Sequence, residues 1–149
     1  MPVPVPYNIF VNPNVLDPIQ PEEQLARTLA LIGQPARIQI LYALGEQETC
    51  VCHLVAALNL RQASISQHLM ALRQAGFVSA RRDGRNIFYQ LTQPAVLDVL
   101  ARAARLCDLP AGAFEALAFR PLPGCPCPRC SADPSCQAAT AACANNCPN

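Results

Sequence analysis

A mainly α-helical domain carrying one small β-hairpin is the fold class the sequence predicts, and three observations predict it. Apolar residues recur at helical spacing in several segments between residues 21 and 106, an Asp83-Gly84 dipeptide separates two alternating runs, and proline and cysteine crowd the two ends. At 149 residues with 52% apolar side chains, the chain can bury one core with extensions, whereas two full domains would be cramped. The reading divides it into a proline-rich irregular arm (1–20), a folded domain (21–109), and a short helix with a Cys/Pro-rich tail (110–149).

The arm contains Pro2, Pro4, Pro6, Pro13 and Pro18, which remove backbone donors and prevent a regular helix. Pro21-Glu22-Glu23 suits a helix start, where proline is tolerated and acids meet the positive end of the dipole. Leu25, Leu29 and Ile32 mark that helix's apolar face, and Gly33 closes it. A second helix follows from about residue 35 to Gly45 with Ile38, Leu41 and Leu44 inward, and a third covers 50–58 with Val51, Leu54 and Leu58 inward and Asn59 as terminator. The fourth, over 61–75, repeats Ile65, Leu69 and Leu72 on one covered face and stops at Gly76. Residues 77–82 and 86–91 alternate around Asp83-Gly84, as a tight hairpin does. Helical spacing returns over 94–106 through Val96, Leu97, Leu100 and Leu106, and a last helix is expected over 110–119. From Pro121 onward no periodicity remains, which predicts a mobile tail.

The formal net charge of +1 conceals segregation along the chain. Residues 61–105 carry Arg61, Arg73, Arg81, Arg82, Arg85, Arg102 and Arg105 against only Asp83 and Asp98, a basic segment able to neutralise phosphates. Helix, turn, helix and hairpin in this order form a winged helix-turn-helix, whose second helix enters the major groove of double-stranded DNA while the hairpin lies along the flanking backbone. On that second helix, Gln62, Ser64, Ser66, Gln67 and His68 remain as candidate readers once the apolar positions are removed. Arg81, Arg82 and Arg85 flank the hairpin turn as candidate phosphate contacts, against the blander reading of an edge charged to resist aggregation. Tyr89 is expected in the core.

No apolar run reaches the roughly 18 to 20 residues of a membrane span. The start, Met1-Pro-Val-Pro-Val-Pro, lacks a signal peptide's basic and apolar regions, so a cytoplasmic protein is expected. Nine cysteines, seven of them at or after residue 107, then read as metal or redox chemistry before they read as disulfides. An enzyme is not expected: no nucleophile-base pair, carboxylate pair or phosphate loop stands out, and His53 and His68 are the only histidines.

The run Glu48-Thr-Cys-Val-Cys-His-Leu, then Ser64-Ile-Ser-Gln-His-Leu, then Arg81-Arg-Asp-Gly-Arg with Tyr89-Gln-Leu, resembles the ArsR/SmtB family of metal-sensing repressors over residues 21–106. The resemblance implies a homodimer with winged helices at both ends and repression relieved by an inducer. It does not settle the ligand, since the family includes members that sense persulfides or other signals.

Cys50 and Cys52 straddle Val51 at the start of the third helix. Two residues apart on an ideal helix point about 200° from each other, so joint capture of one ion would require a distorted first turn, and that distortion would carry the signal to the reading helix. Soft thiolates select arsenic(III), antimony(III), cadmium, lead, mercury or zinc over hard ions, with arsenite or antimonite placed ahead of cadmium or lead for the Cys-Val-Cys helix. Arsenic-sensing relatives often place a third cysteine further along that helix, and this sequence has none there. Cys125, Cys127 and Cys130 are the candidates to complete the site, within one chain or across the dimer. Alternatively the tail forms its own cluster with Cys136, Cys143 and Cys147. His53 is expected to be solvated and Cys107 to be buried and inert. A thiol redox or persulfide-responsive repressor, and a metal-sequestering protein with vestigial DNA binding, stand as alternatives.

Overall fold

The computed structural model describes residues 20–45, 47–118, 120–122, 125, 127, 130 and 132. Almost all of the proline-rich arm, and Cys136, Cys143 and Cys147, lie outside the described residues. The elements in order are α1 (Pro21–Ile32), α2 (Pro35–Leu44), β1 (Thr49–Cys50), α3 (Val51–Leu58), α4 (Gln62–Gln74), β2 (Val78–Asp83), β3 (Asn86–Leu91) and α5 (Ala95–Leu106), followed by a 3-10 turn at Glu115–Leu117.

Two helices start where proline predicts, with Pro21 and Pro35 in their first turns, and α3 ends at Asn59, whose left-handed φ of 52° breaks the helix. Beyond the C-cap of α4, Gly76 adopts φ +78°, and the Phe77 amide returns to the Leu72 carbonyl at 2.9 Å, so the chain reverses into β2 without an orphaned helix end. Asp83 pairs with Asn86, which leaves Gly84 and Arg85 as a two-residue loop, and Gly84 at φ +58° takes its first position.

Ile40, Leu41, Leu44, Leu54, Ile65, Leu69 and Leu72 are fully enclosed where α2, α3 and α4 meet, joined by Val78, Leu91, Val96 and Leu100 from the hairpin and α5. This core fixes α3 against α4. Along β3 the sides alternate: Tyr89 and Leu91 pack on this core, while Phe88 faces the opposite side of the sheet.

Five expectations are corrected. The sheet has three strands in the order β1-β3-β2, because Thr49 and Cys50 pair antiparallel with Tyr89 and Phe88. Cys50 is therefore extended (φ −85°, ψ 160°) and serves as the N-cap of α3, not as a residue inside it. The helix expected over 110–119 is reduced to turns and one 3-10 turn, since Gly112 takes φ +83°. On α1, Leu25 and Leu29 stay 58% and 46% exposed, so only Ile32 of the expected face enters this chain's core. The tail expected to be mobile contributes Cys125, Cys127 and Cys130 to a second small core with Cys50 and Phe88, with Leu122 packed against it.

Candidate metal centre and nucleic-acid interface

The centre lies where β1 runs into α3, covered by the tail. The backbone sets out Cys50 first: its strand pairing with Phe88 fixes the chain, and the turn into α3 leaves its Sγ accepting from the His53 amide at 3.4 Å. One bond then docks the tail on β1 and another folds the tail on itself. The Cys50 amide donates to Cys127 Sγ at 3.0 Å, and the Leu122 amide donates to Cys130 Sγ at 3.3 Å.

These anchors bring four thiols together in one chain. Cys50 and Cys127 are 3.2 Å apart, Cys125 and Cys127 3.2 Å, and Cys50 and Cys125 3.5 Å, sulfur to sulfur. His53 lies beneath them, with Nδ1 3.4 Å from Cys130 Sγ and 3.8 Å from Cys125 Sγ. One ligand atom from each of His53, Cys125, Cys127 and Cys130 falls within a 4.8 Å group, and all four residues are buried.

Proton sharing within the cluster is uneven. Hydrogen bonds from Cys125 and Cys127, with the His53 amide, hold Cys50 down to about 3, far below an ordinary thiol, so it is the thiolate of the group. Cys125 is raised, because its proton is held in bonds to Cys127 and Cys50 and its site is dry. A bond from Cys125 favours the Cys127 thiolate, but the Cys50 sulfur and burial outweigh it and push Cys127 up to about 12. One negative charge shared over three sulfurs is a soft, preformed nest for a cation or an electrophilic metalloid.

Three sequence expectations change here. His53, expected to be solvated, is 1% exposed, because the tail closes over it. Cys52 is disulfide-bonded and offers no thiolate in this state, although it packs against the cluster. Cys107, expected to be buried, is exposed at the C-terminal end of α5. Helical periodicity could not find His53, since the covering Cys125 and Cys130 lie 72 and 77 residues away in a segment with no pattern of its own.

On α4, Ser66 and Gln67 are exposed, and Gln62, Ser64 and His68 are partly exposed on the same element. Arg82 and Arg85 are exposed beside the hairpin turn, Arg82 bonding the Gly84 carbonyl at 3.2 Å. Arg81 is engaged otherwise: Glu48 grips it through both carboxylate oxygens at 2.8 Å, Asp83 adds a contact at 3.2 Å, and its guanidinium lies 5.2 Å from the Phe88 ring centroid. Arg81 in turn holds the Glu48 carboxyl below its usual range.

A three-helix core presenting α3 and α4, with a hairpin beside them, defines the chain as a DNA-binding regulator of the winged helix-turn-helix class. The family model "Bacterial regulatory protein, arsR family" matches residues 34–80. The chain is 33% identical over 94 residues to a transcriptional repressor SmtB homolog of Synechocystis sp., covering 63% of this chain and 70% of that one. It is 42% identical over 79 residues to the HTH-type transcriptional repressor SmtB of Mycobacterium tuberculosis, covering 50% of this chain and 58% of that one. Among solved structures it resembles the AntR antimony-specific transcriptional repressor, with a TM-score of 0.51 and 28% identity over 60-odd per cent of this chain (62%) and 86% of that one. The chain belongs to the ArsR/SmtB family and is a transcriptional repressor of that type. Among the described residues no helix is long and apolar enough to cross a membrane.

Proposed function

We propose that this repressor leaves its operator when the buried cysteine cluster captures a soft metal or metalloid ion, with arsenite or antimonite ahead of cadmium or lead. One observation carries the reading: the thiols of Cys50, Cys125 and Cys127 converge at 3.2 to 3.5 Å on the residue that caps the first helix of the DNA-reading pair. Sulfur donors discriminate against hard cations, and three converging sulfurs suit a trivalent metalloid. The antimony specificity in the name of the related AntR protein supports the same class of ligand.

Transmission to DNA follows from what Cys50 touches. Its backbone belongs to β1 and is paired with β3 of the wing, while its side chain caps α3, which packs on α4. An ion that repositions its sulfur disturbs the wing and the helix pair together. Coupling between such sites is typically about 1–3 kcal/mol, a 5- to 150-fold change in operator affinity. Gln62, Ser64, Ser66, Gln67 and His68 read the groove and Arg82 and Arg85 meet phosphates, with Arg81 joining them when Glu48 lets go. Leu25 and Leu29 on α1 and Leu106 on α5 (88% exposed) supply an apolar face for a second copy, giving a cytoplasmic homodimer with two reading heads.

The test is anaerobic titration of the reduced protein with arsenite, antimonite, cadmium and lead while operator binding is followed by fluorescence anisotropy. Ion-specific release supports the reading, and binding indifferent to every ion refutes it. The disulfide at Cys52 favours a second reading, a thiol-redox switch on the same fold. In that case strict reduction silences the response instead of permitting it.

A further inference from the structure

The cluster contains two overlapping donor sets of different shape, not one. The first is the triangle of Cys50, Cys125 and Cys127, with edges of 3.2, 3.2 and 3.5 Å. A tetrahedral ion with metal–sulfur bonds of about 2.3 Å spreads its sulfurs to about 3.8 Å. An ion whose three bonds meet near right angles, as in a pyramidal trivalent metalloid, needs edges of only about 3.3 Å at the same bond length. The triangle matches the pyramid.

The second set is His53, Cys125, Cys127 and Cys130, whose ligand atoms lie within 4.8 Å of one another, with Cys50 outside the group. The nitrogen-to-sulfur edges from His53 to Cys130 and to Cys125 are 3.4 and 3.8 Å, bracketing the roughly 3.6 Å expected between nitrogen and sulfur around tetrahedral zinc. Three thiols and one imidazole, all buried and contributed by one helix and one tail segment, form a closed four-ligand set. The shared Cys125–Cys127 edge, at 3.2 Å, must lengthen to admit a tetrahedral ion.

We propose that the cluster sorts ions by coordination geometry: a tetrahedral divalent ion of the zinc and cadmium class takes His53, Cys125, Cys127 and Cys130, whereas a trivalent metalloid takes Cys50, Cys125 and Cys127. Since both sets need Cys125 and Cys127, one occupant excludes the other. The divalent ion pins the tail over α3 and leaves Cys50 as its cap. The metalloid recruits Cys50 and thereby reaches β1 and α3. This inference rests on reading the cluster as an ion site and is independent of whether either ion releases DNA.

The test measures binding by the reduced full-length chain, followed through thiolate-to-ion absorption in the ultraviolet, with cadmium ion and antimonite as separate probes. Cys50→Ser is expected to weaken antimonite about tenfold or more and to leave cadmium nearly unchanged, and Cys130→Ser to do the reverse. Loss of both ions in both variants, loss of neither, or the opposite pairing overturns the proposal. X-ray absorption of the zinc-loaded wild-type chain gives a check that needs no variant: three sulfurs and one nitrogen are expected, and four sulfurs overturn it. If wild type binds both probes with this pattern yet releases no DNA, the sensor reading fails and the sorting stands.

Discussion

Replacing Cys50 by serine separates the two duties that meet at this residue. As N-cap of α3, Cys50 Sγ accepts from the His53 amide, three residues on, and its backbone amide donates to Cys127. Serine is among the preferred N-caps and leaves the backbone bond intact, so Cys50→Ser is expected to retain the fold. Cys50→Ala, which has no acceptor, is expected to lose about 1 kcal/mol in urea unfolding, within the roughly 0.5–2 kcal/mol that cap removal costs. Both variants lack the sulfur that links the triangle to α3. Operator affinity of Cys50→Ser without ion should therefore match wild type, while the roughly 5- to 150-fold weakening expected on metalloid addition should vanish. Fluorescence anisotropy at fixed salt measures both quantities. Normal release of DNA by the serine variant would sink the mechanism, because no path from the ion to the reading helix through Cys50 would remain.

Other consequences follow from the same geometry. Glu48→Gln should free Arg81 from its two-oxygen grip, tighten operator binding at low salt and steepen the log–log salt dependence by about 0.9 for one added phosphate contact; an unchanged slope means Arg81 stays off the DNA. Arsenous acid carries three hydroxyls, so capture by one thiolate and two thiols consumes one solvent proton and releases three waters. With Cys50 held ionised, arsenite affinity is expected to fall about tenfold per pH unit between pH 6 and 8, whereas three neutral thiols would give no pH dependence. Leu29→Glu with Leu106→Glu should shift the protein to monomers in analytical ultracentrifugation and abolish tight operator binding, and a monomer of undiminished affinity contradicts the dimer. Leu72→Ala should cost about 2–5 kcal/mol of stability, read by urea unfolding, since Leu72 is wholly enclosed between α4 and the rest of the core.

Local pattern carried most of the scaffold. The period of Ile65, Leu69 and Leu72 identifies the covered face of α4 because burial on a helix repeats with its turn, and all three prove fully enclosed. Pro21, Pro35, Asn59, Gly76 and Gly84 mark boundaries because each restricts or frees its own backbone, a property readable one residue at a time. The spacing of Cys125, Cys127 and Cys130 likewise marked them as a group, and the motifs around Cys50, Ser64 and Arg81 pointed to the family. What tertiary structure alone decided is which partners meet. Two residues, Thr49 and Cys50, are too short a run to show a strand period, and only the edge of β3 makes them β1. His53 reads as solvated until a distant tail buries it, and Arg81 reads as a free wing cation until Glu48, 33 residues earlier, is brought alongside. Periodicity reports which face is covered, but the identity of the cover depends on contacts between segments far apart in the chain, and those arise only when the whole chain folds.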